Sequence, residues 1–215
     1  MPPASNPELL VLLSLRLKSV AVTRVLAEHA GLPEPDVAEL LARLGTEGLV
    51  RCRQGSLTGW SLLPAGRIRG EALLAAELDS TGSREVVGAA YHRFLALNAE
   101  LLRVCTDWQV RTDIDDHTLN DHSDAAYDEQ VISRLGQVHQ QVVPVIAELS
   151  EVLDRFSGYA PRLSEALERV TNGELDWFAR PLVDSYHTVW FELHENLLAT
   201  LGIERASEPR AELSG

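Results

Sequence analysis

The stretch from Val22 to Arg69, VTRVLAEHAGLPEPDVAELLARLGTEGLVRCRQGSLTGWSLLPAGRIR, constrains this chain more tightly than any other. Val22, Val25, Leu26 and Ala30 recur at helical spacing, and Gly31 follows where a helix end favours a residue with positive φ. Pro33 and Pro35 suit a turn and the first helical positions, where a missing N–H costs nothing. Val37, Leu40, Leu41 and Leu44 then give a second helix with one buried face. After Gly48, Leu49 to Arg53 alternates apolar and polar residues, Gln54-Gly55-Ser56 makes a turn, and Leu57 to Leu63 returns as a second strand. A leading helix is predicted upstream, with Asn6 as cap, Pro7 at its first position, and Leu9, Leu10, Leu13 and Leu17 behind them. Its run LLVLLSLRLK is apolar on more than one face, as expected of a helix covered by the next two helices and by a partner subunit. Pro64-Ala65-Gly66 ends the hairpin, and Ile68 to Leu78 restarts as a helix.

The ordered series T-x-x-L-A (from Thr23), G-L (Gly31-Leu32), V-x-x-L-L-x-x-L (from Val37), G-L-V (from Gly48) and G-W-S-L-x-P-x-G-R (from Gly59) resembles winged-helix transcription regulators, especially the MarR-like bacterial groups. The resemblance covers roughly the first third of the chain. It implies a winged helix-turn-helix in which the helix after Pro33 is the recognition helix and the hairpin is the wing. Gly48 to Gly70 holds Arg51, Arg53, Arg67 and Arg69 and no acidic residue, so positive charge falls where a wing lies beside a phosphate backbone. With Arg43 on the recognition helix, these are the candidate contacts to double-stranded DNA. The leading positions of that helix, Glu34, Asp36 and Glu39, argue the other way. Carboxylates there suit the helix dipole but are poor phosphate neighbours, and the usual base readers Arg, Lys, Asn and Gln are nearly absent.

Charge divides the chain in two. Met1 to Asp79 carries eight Lys and Arg against nine Asp and Glu, whereas the remainder carries eleven against twenty-three and so holds nearly all of the net −13. The domain reading follows: 1–79 as the winged domain with its connecting helix, Ser80-Thr81-Gly82-Ser83 as a linker, 84–202 as an antiparallel helical bundle, and 203–215 as a flexible tail. The fold class is therefore mostly α, with one two-stranded wing. Cys52 and Cys105 have no paired spacing, which excludes a disulfide framework or a cysteine-based zinc site. A reducing cytoplasm is the expected compartment. MPPASNPELL lacks the basic start of a signal peptide, and no apolar run reaches membrane-spanning length, so no membrane association is expected.

In the second part, Val86 to Gln109 and Ala126 to Phe156 read as long helices, the latter kinked or divided at Pro144. Pro161 to Val170 is a shorter one, and Pro181 to Leu201 the last. Tyr91, Asn98, Cys105 and Trp108 on one stripe, and His187, Trp190 and His194 on the last helix, are the candidate lining of a small-molecule effector pocket. Side chains that satisfy one another in a filled core are the alternative. Thr112 to Asp124, TDIDDHTLNDHSD, reads as a solvated acidic loop; it lacks the spacing of a calcium loop or a zinc site. His187 and His194 lie about 10.5 Å apart along a helix, too far to share one ion, and Asp184-x-x-His187 occurs once where a di-iron bundle needs pairs. No nucleophile elbow, phosphate loop or H-E-x-x-H motif is present, so no enzyme, cofactor or metal is expected.

The segments CTDWQVR (from Cys105), DHSDAAYD (from Asp121) and DSYHTVWFELHENLLATLG (from Asp184), following LRLKSVA and GWSLLPAGR, carry a second resemblance. Together they look like an actinobacterial module associated with PEP/pyruvate-utilising dikinases, without those enzymes' phosphohistidine or nucleotide-grasp segments. The leading expectation is a homodimeric DNA-binding transcriptional regulator with a helical effector or dimerisation domain. The alternative is an accessory or protein-interaction module, for instance for a PEP-utilising enzyme.

Overall fold

A computed structural model describes residues 2–55, 58–114, 117–181 and 183–205. They form two compact units. The first comprises Pro3–Arg84 together with Glu195 and the residues after it in the last helix; the second is Glu85–His194.

In the first unit α1 (Pro7–Lys18) starts as its sequence dictates: the Asn6 side chain accepts a hydrogen bond from the Glu8 N–H at 2.8 Å, and Pro7 occupies the first turn. α2 (Thr23–Ala30) ends at Gly31, whose φ of 65° turns the chain so that the Leu32 N–H reaches back to the Ala27 carbonyl at 3.1 Å. α3 (Glu34–Thr46) follows after Leu32 and Pro33. β1 (Val50–Arg53) and β2 (Gly59–Leu62) pair antiparallel, with Arg51 opposite Ser61 and Cys52 opposite Trp60. Ser56 and Leu57, assigned to the turn and the second strand, lie outside the described residues; β2 begins at Gly59. Gly59 takes a φ of 150° because β2 runs against the backbone at Ala21, where a Cβ would lie 2.7 Å from the carbonyl oxygen. This is the order of a winged helix-turn-helix. Its core is Val11, Leu12 and Leu15 of α1 against Leu26, Val37, Leu41, Leu44 and Val50.

α4 (Pro64–Thr81) begins at Pro64 itself, four residues before the expected Ile68, because proline at the first helical position sacrifices no hydrogen bond. It runs through Ser80 and Thr81, so the expected four-residue linker shrinks to Gly82, in the left-handed conformation, and the buried Ser83. The second apolar face of α1 is covered within this unit, since Leu9 and Leu13 pack with Leu74 of α4 and with Ala199.

The second unit is helical: α5 (Arg84–Gln109), α6 (Ala125–Val152), α7 (Tyr159–Thr171), the single turn α8 (Asp176–Ala179) and α9 (Tyr186–Leu201) up to His194. Pro144 sits on an exposed position inside α6 without dividing it. That helix stops at Val152 and a 3-10 turn, Asp154–Phe156, follows, four residues short of the expected end. α9 starts at Tyr186 rather than Pro181. α8, which carries the buried Phe178, has no counterpart among the helices expected from the sequence. The expected tail lies outside the described residues from Ala206 onward.

Candidate functional site

The five candidate DNA-binding arginines fall into two groups. Arg51 and Arg53 are two apart on β1 and therefore share one face of the wing. Both are exposed, their cross-strand neighbours Ser61 and Gly59 are uncharged, and neither has a carboxylate partner among the described residues. The other three are engaged. Arg67 Nε donates to Glu71 at 3.1 Å; Arg43 donates through Nη2 to Glu8 at 2.9 Å and through Nη1 to Glu47 at 3.3 Å; Arg69 Nε donates to the other Glu8 oxygen at 2.8 Å.

Glu8 is only 8% exposed. Burial alone would raise its pKa, but the hydrogen bonds from Arg69 and Arg43 outweigh that and hold the carboxyl below its ordinary value. Glu34, Asp36 and Glu39 are exposed on α3, so this helix presents a negative surface at its N-terminal half.

The candidate effector residues also separate. Tyr91, Asn98, Trp190 and His194 come together around Phe94. The Trp190 ring stacks on Phe94 at 4.7 Å and its Nε1–H donates to Asn98 Oδ1 at 2.9 Å, while His194 lies 5.2 Å from Phe94 and 6.4 Å from Tyr91. Trp108 belongs to a different contact, stacked face to face on Phe178 at 4.1 Å with His122 at 4.4 Å on its ring. Cys105 is buried, and desolvation pushes its thiol up to about 12, which keeps it protonated and unreactive. His187 is half-buried, and desolvation lowers its pKa. The Trp190 Nε1–H and the Asn98 side-chain carbonyl oxygen are thus paired with each other.

Two polar clusters escaped the sequence reading. Arg162 of α7 donates to Asp184 at 3.0 Å and to Glu192 at 2.7 Å, and Glu192 is 3% exposed. The one sequence signal was a carboxylate inside the apolar run VWFELHEN. The second cluster narrows the solvated-loop expectation, which holds at the exposed Asp113, His117 and Asp121 but not at Asn120. Asn120 and Asp128 are buried, and Asn120 Nδ2 donates to the Trp108 carbonyl at 3.1 Å and to Asp128 Oδ1 at 2.8 Å. His122 Nδ1 lies 3.0 Å from Asp128 Oδ2. The later half of the loop is therefore folded onto α5 and α6 by side-chain hydrogen bonds that no apolar periodicity encodes. Asp115 and Asp116 lie outside the described residues. Among the described residues no group of three or more His, Cys, Asp or Glu is placed to hold a metal ion, and no helix is long and apolar enough to cross a membrane.

Set against known proteins, the chain matches no family model, no curated protein and no solved structure.

Proposed function

We propose that the chain is a winged-helix DNA-binding transcriptional regulator, acting in the cytoplasm as a homodimer, in which the wing rather than the recognition helix makes the main contact to the phosphate backbone. The observation that carries this reading is the pair Arg51 and Arg53: exposed, on one face of β1, and free of carboxylate partners among the described residues. Guanidinium groups so placed can each neutralise a phosphate, and each neutralised phosphate releases counterions. Two such contacts hold DNA weakly, which is why a second copy is part of the proposal: two half-sites multiply affinity. The helical unit then serves dimerisation or effector sensing, with Tyr91, Asn98, Trp190 and His194 around Phe94 as the place where an effector would exchange partners.

The test is binding to the protein's own upstream DNA over a salt series. The wild type is expected to lose affinity with a log–log slope of about −0.9 per phosphate contacted, and Arg51→Ala with Arg53→Ala to make that slope shallower by about 1.8 per protomer. A regulator also has to prefer its operator over random DNA by about a thousandfold or more. A second reading has its own support. The exposed Glu34, Asp36 and Glu39 of α3 repel phosphate and suit a basic protein surface, as an accessory module would need. No DNA binding at low salt, together with a partner recovered in pull-downs, would favour it.

A further inference from the structure

We propose that Glu8 sets the DNA affinity of the winged unit by withholding Arg43 and Arg69, so that a phosphate must compete with this carboxylate for both guanidiniums. The inference rests on the DNA-binding reading. Three features of the cluster support it. The carboxylate is shared between helices, one oxygen taking Arg43 of α3 at 2.9 Å and the other Arg69 of α4 at 2.8 Å. The two arginine side chains remain 50% and 52% exposed although their partner is nearly buried, so an external anion can reach them without the unit opening. Each arginine gives Glu8 a single nitrogen. Arg69 keeps both of its terminal nitrogens without a partner among the described residues, in the fork geometry that suits phosphate.

Charge gives the sign. Glu8, Glu47, Arg43 and Arg69 together are neutral, and removing the Glu8 charge leaves one net positive charge on two half-solvated side chains. A fully buried ion pair that loses one member leaves an unsolvated charge behind; here water can take over the guanidiniums, so the released state is accessible. Glu8 also ties three helices together, and a fastening role alone would leave DNA affinity untouched.

The experiment compares wild type, Glu8→Gln, and Glu8→Gln combined with Arg43→Ala and Arg69→Ala, each binding a random-sequence duplex over a salt series, with circular dichroism confirming the fold. Release predicts that Glu8→Gln binds about tenfold or more tightly at low salt and steepens the log–log slope by about 0.9 to 1.8 per protomer, and that the triple variant loses both gains. An unchanged slope in folded Glu8→Gln overturns the inference while wild-type binding preserves the DNA reading. A gain that survives in the triple variant overturns it as well, since the effect is then general charge. Absence of binding by every protein, wild type included, removes the DNA reading and the inference with it. If Glu8→Gln does not fold, Glu8→Asp replaces it; a carboxylate too short to hold both arginines is expected to steepen the slope by about half as much, and no steepening overturns the proposal.

Discussion

Burial of the Glu192 carboxylate is tolerable because Arg162 brings its guanidinium to 2.7 Å and itself spans to Asp184. The arginine responds in kind: desolvation would lower its pKa, but the two carboxylates more than reverse that, so it stays charged at any accessible pH. Removing the cation leaves Glu192 with much of its desolvation cost. Arg162→Met is therefore expected to destabilise the protein by about 3 kcal/mol, read as a lowered urea midpoint at unchanged slope. Beyond the carboxylate inside the apolar run VWFELHEN, this pairing was not legible in the sequence. Arg162 and Glu192 are 30 residues apart, and a pairing across that distance is set by how α7 and α9 pack, which no local spacing encodes. The same limit explains the arginines of the first unit. Counting charge from Gly48 to Gly70 identified Arg67 and Arg69 as a basic patch, but Glu71 and Glu8, just outside that window or far upstream, fold back onto them.

At the scale of elements, punctuation was readable where it is chemically forced. Gly31 at a left-handed helix end, Pro7 and Pro35 in first turns and the alternation in β1 are local choices with few solutions, and the elements they bound appear where expected. Proline misled where its helix-start signal competed with a turn: Pro181 precedes the turn residues Val183 and Asp184, and α9 waits for Tyr186. Pro144, expected to kink or divide its helix, does not divide it. Val142, Val145, Ile146 and Leu149 are buried on either side of it, and that packing holds α6 together across one missing hydrogen bond. The apolar second face of α1 showed that something must cover it, with the next two helices and a partner subunit as the expectation; Leu74 of α4 and Ala199 of α9 pack against Leu9 and Leu13 there. Ala199 is 3% exposed. Ala199→Glu would place a charge against Leu9 and Leu13 and is expected to cost about 2–4 kcal/mol, measured by thermal and urea unfolding.

At the scale of the whole molecule, pH sensitivity near neutrality falls on half-buried histidines of the helical unit. Desolvation lowers the pKa of both His139 and His187, so each binds its proton more readily when unfolded, where its value is about 6.5. The sign follows from linkage: their contribution to stability is complete above about pH 6.5 and is lost as pH falls through the folded values. The carboxyls held low by arginines, Glu8 and Glu100, act in a separate window, losing their contribution only below about pH 4.5. Urea midpoints are accordingly expected to fall between pH 7 and 5, and to fall less in His139→Gln with His187→Gln. The division into two units follows the shift in composition near Asp79, with one exception: α9 supplies residues to the second unit up to His194 and to the first from Glu195.

Local sequence was enough to fix the order and type of elements across Val22–Arg69, the helical type of the described elements after Asp79, and the uneven charge. All three depend on residues within a few positions of one another, where periodicity, proline and glycine act directly. Packing between distant segments settles which arginines are left without a carboxylate among the described residues, which carboxylates are buried with a partner, and which unit receives the end of the last helix. Those are contacts between segments tens of residues apart, and their geometry is fixed by packing rather than by any local preference of the chain.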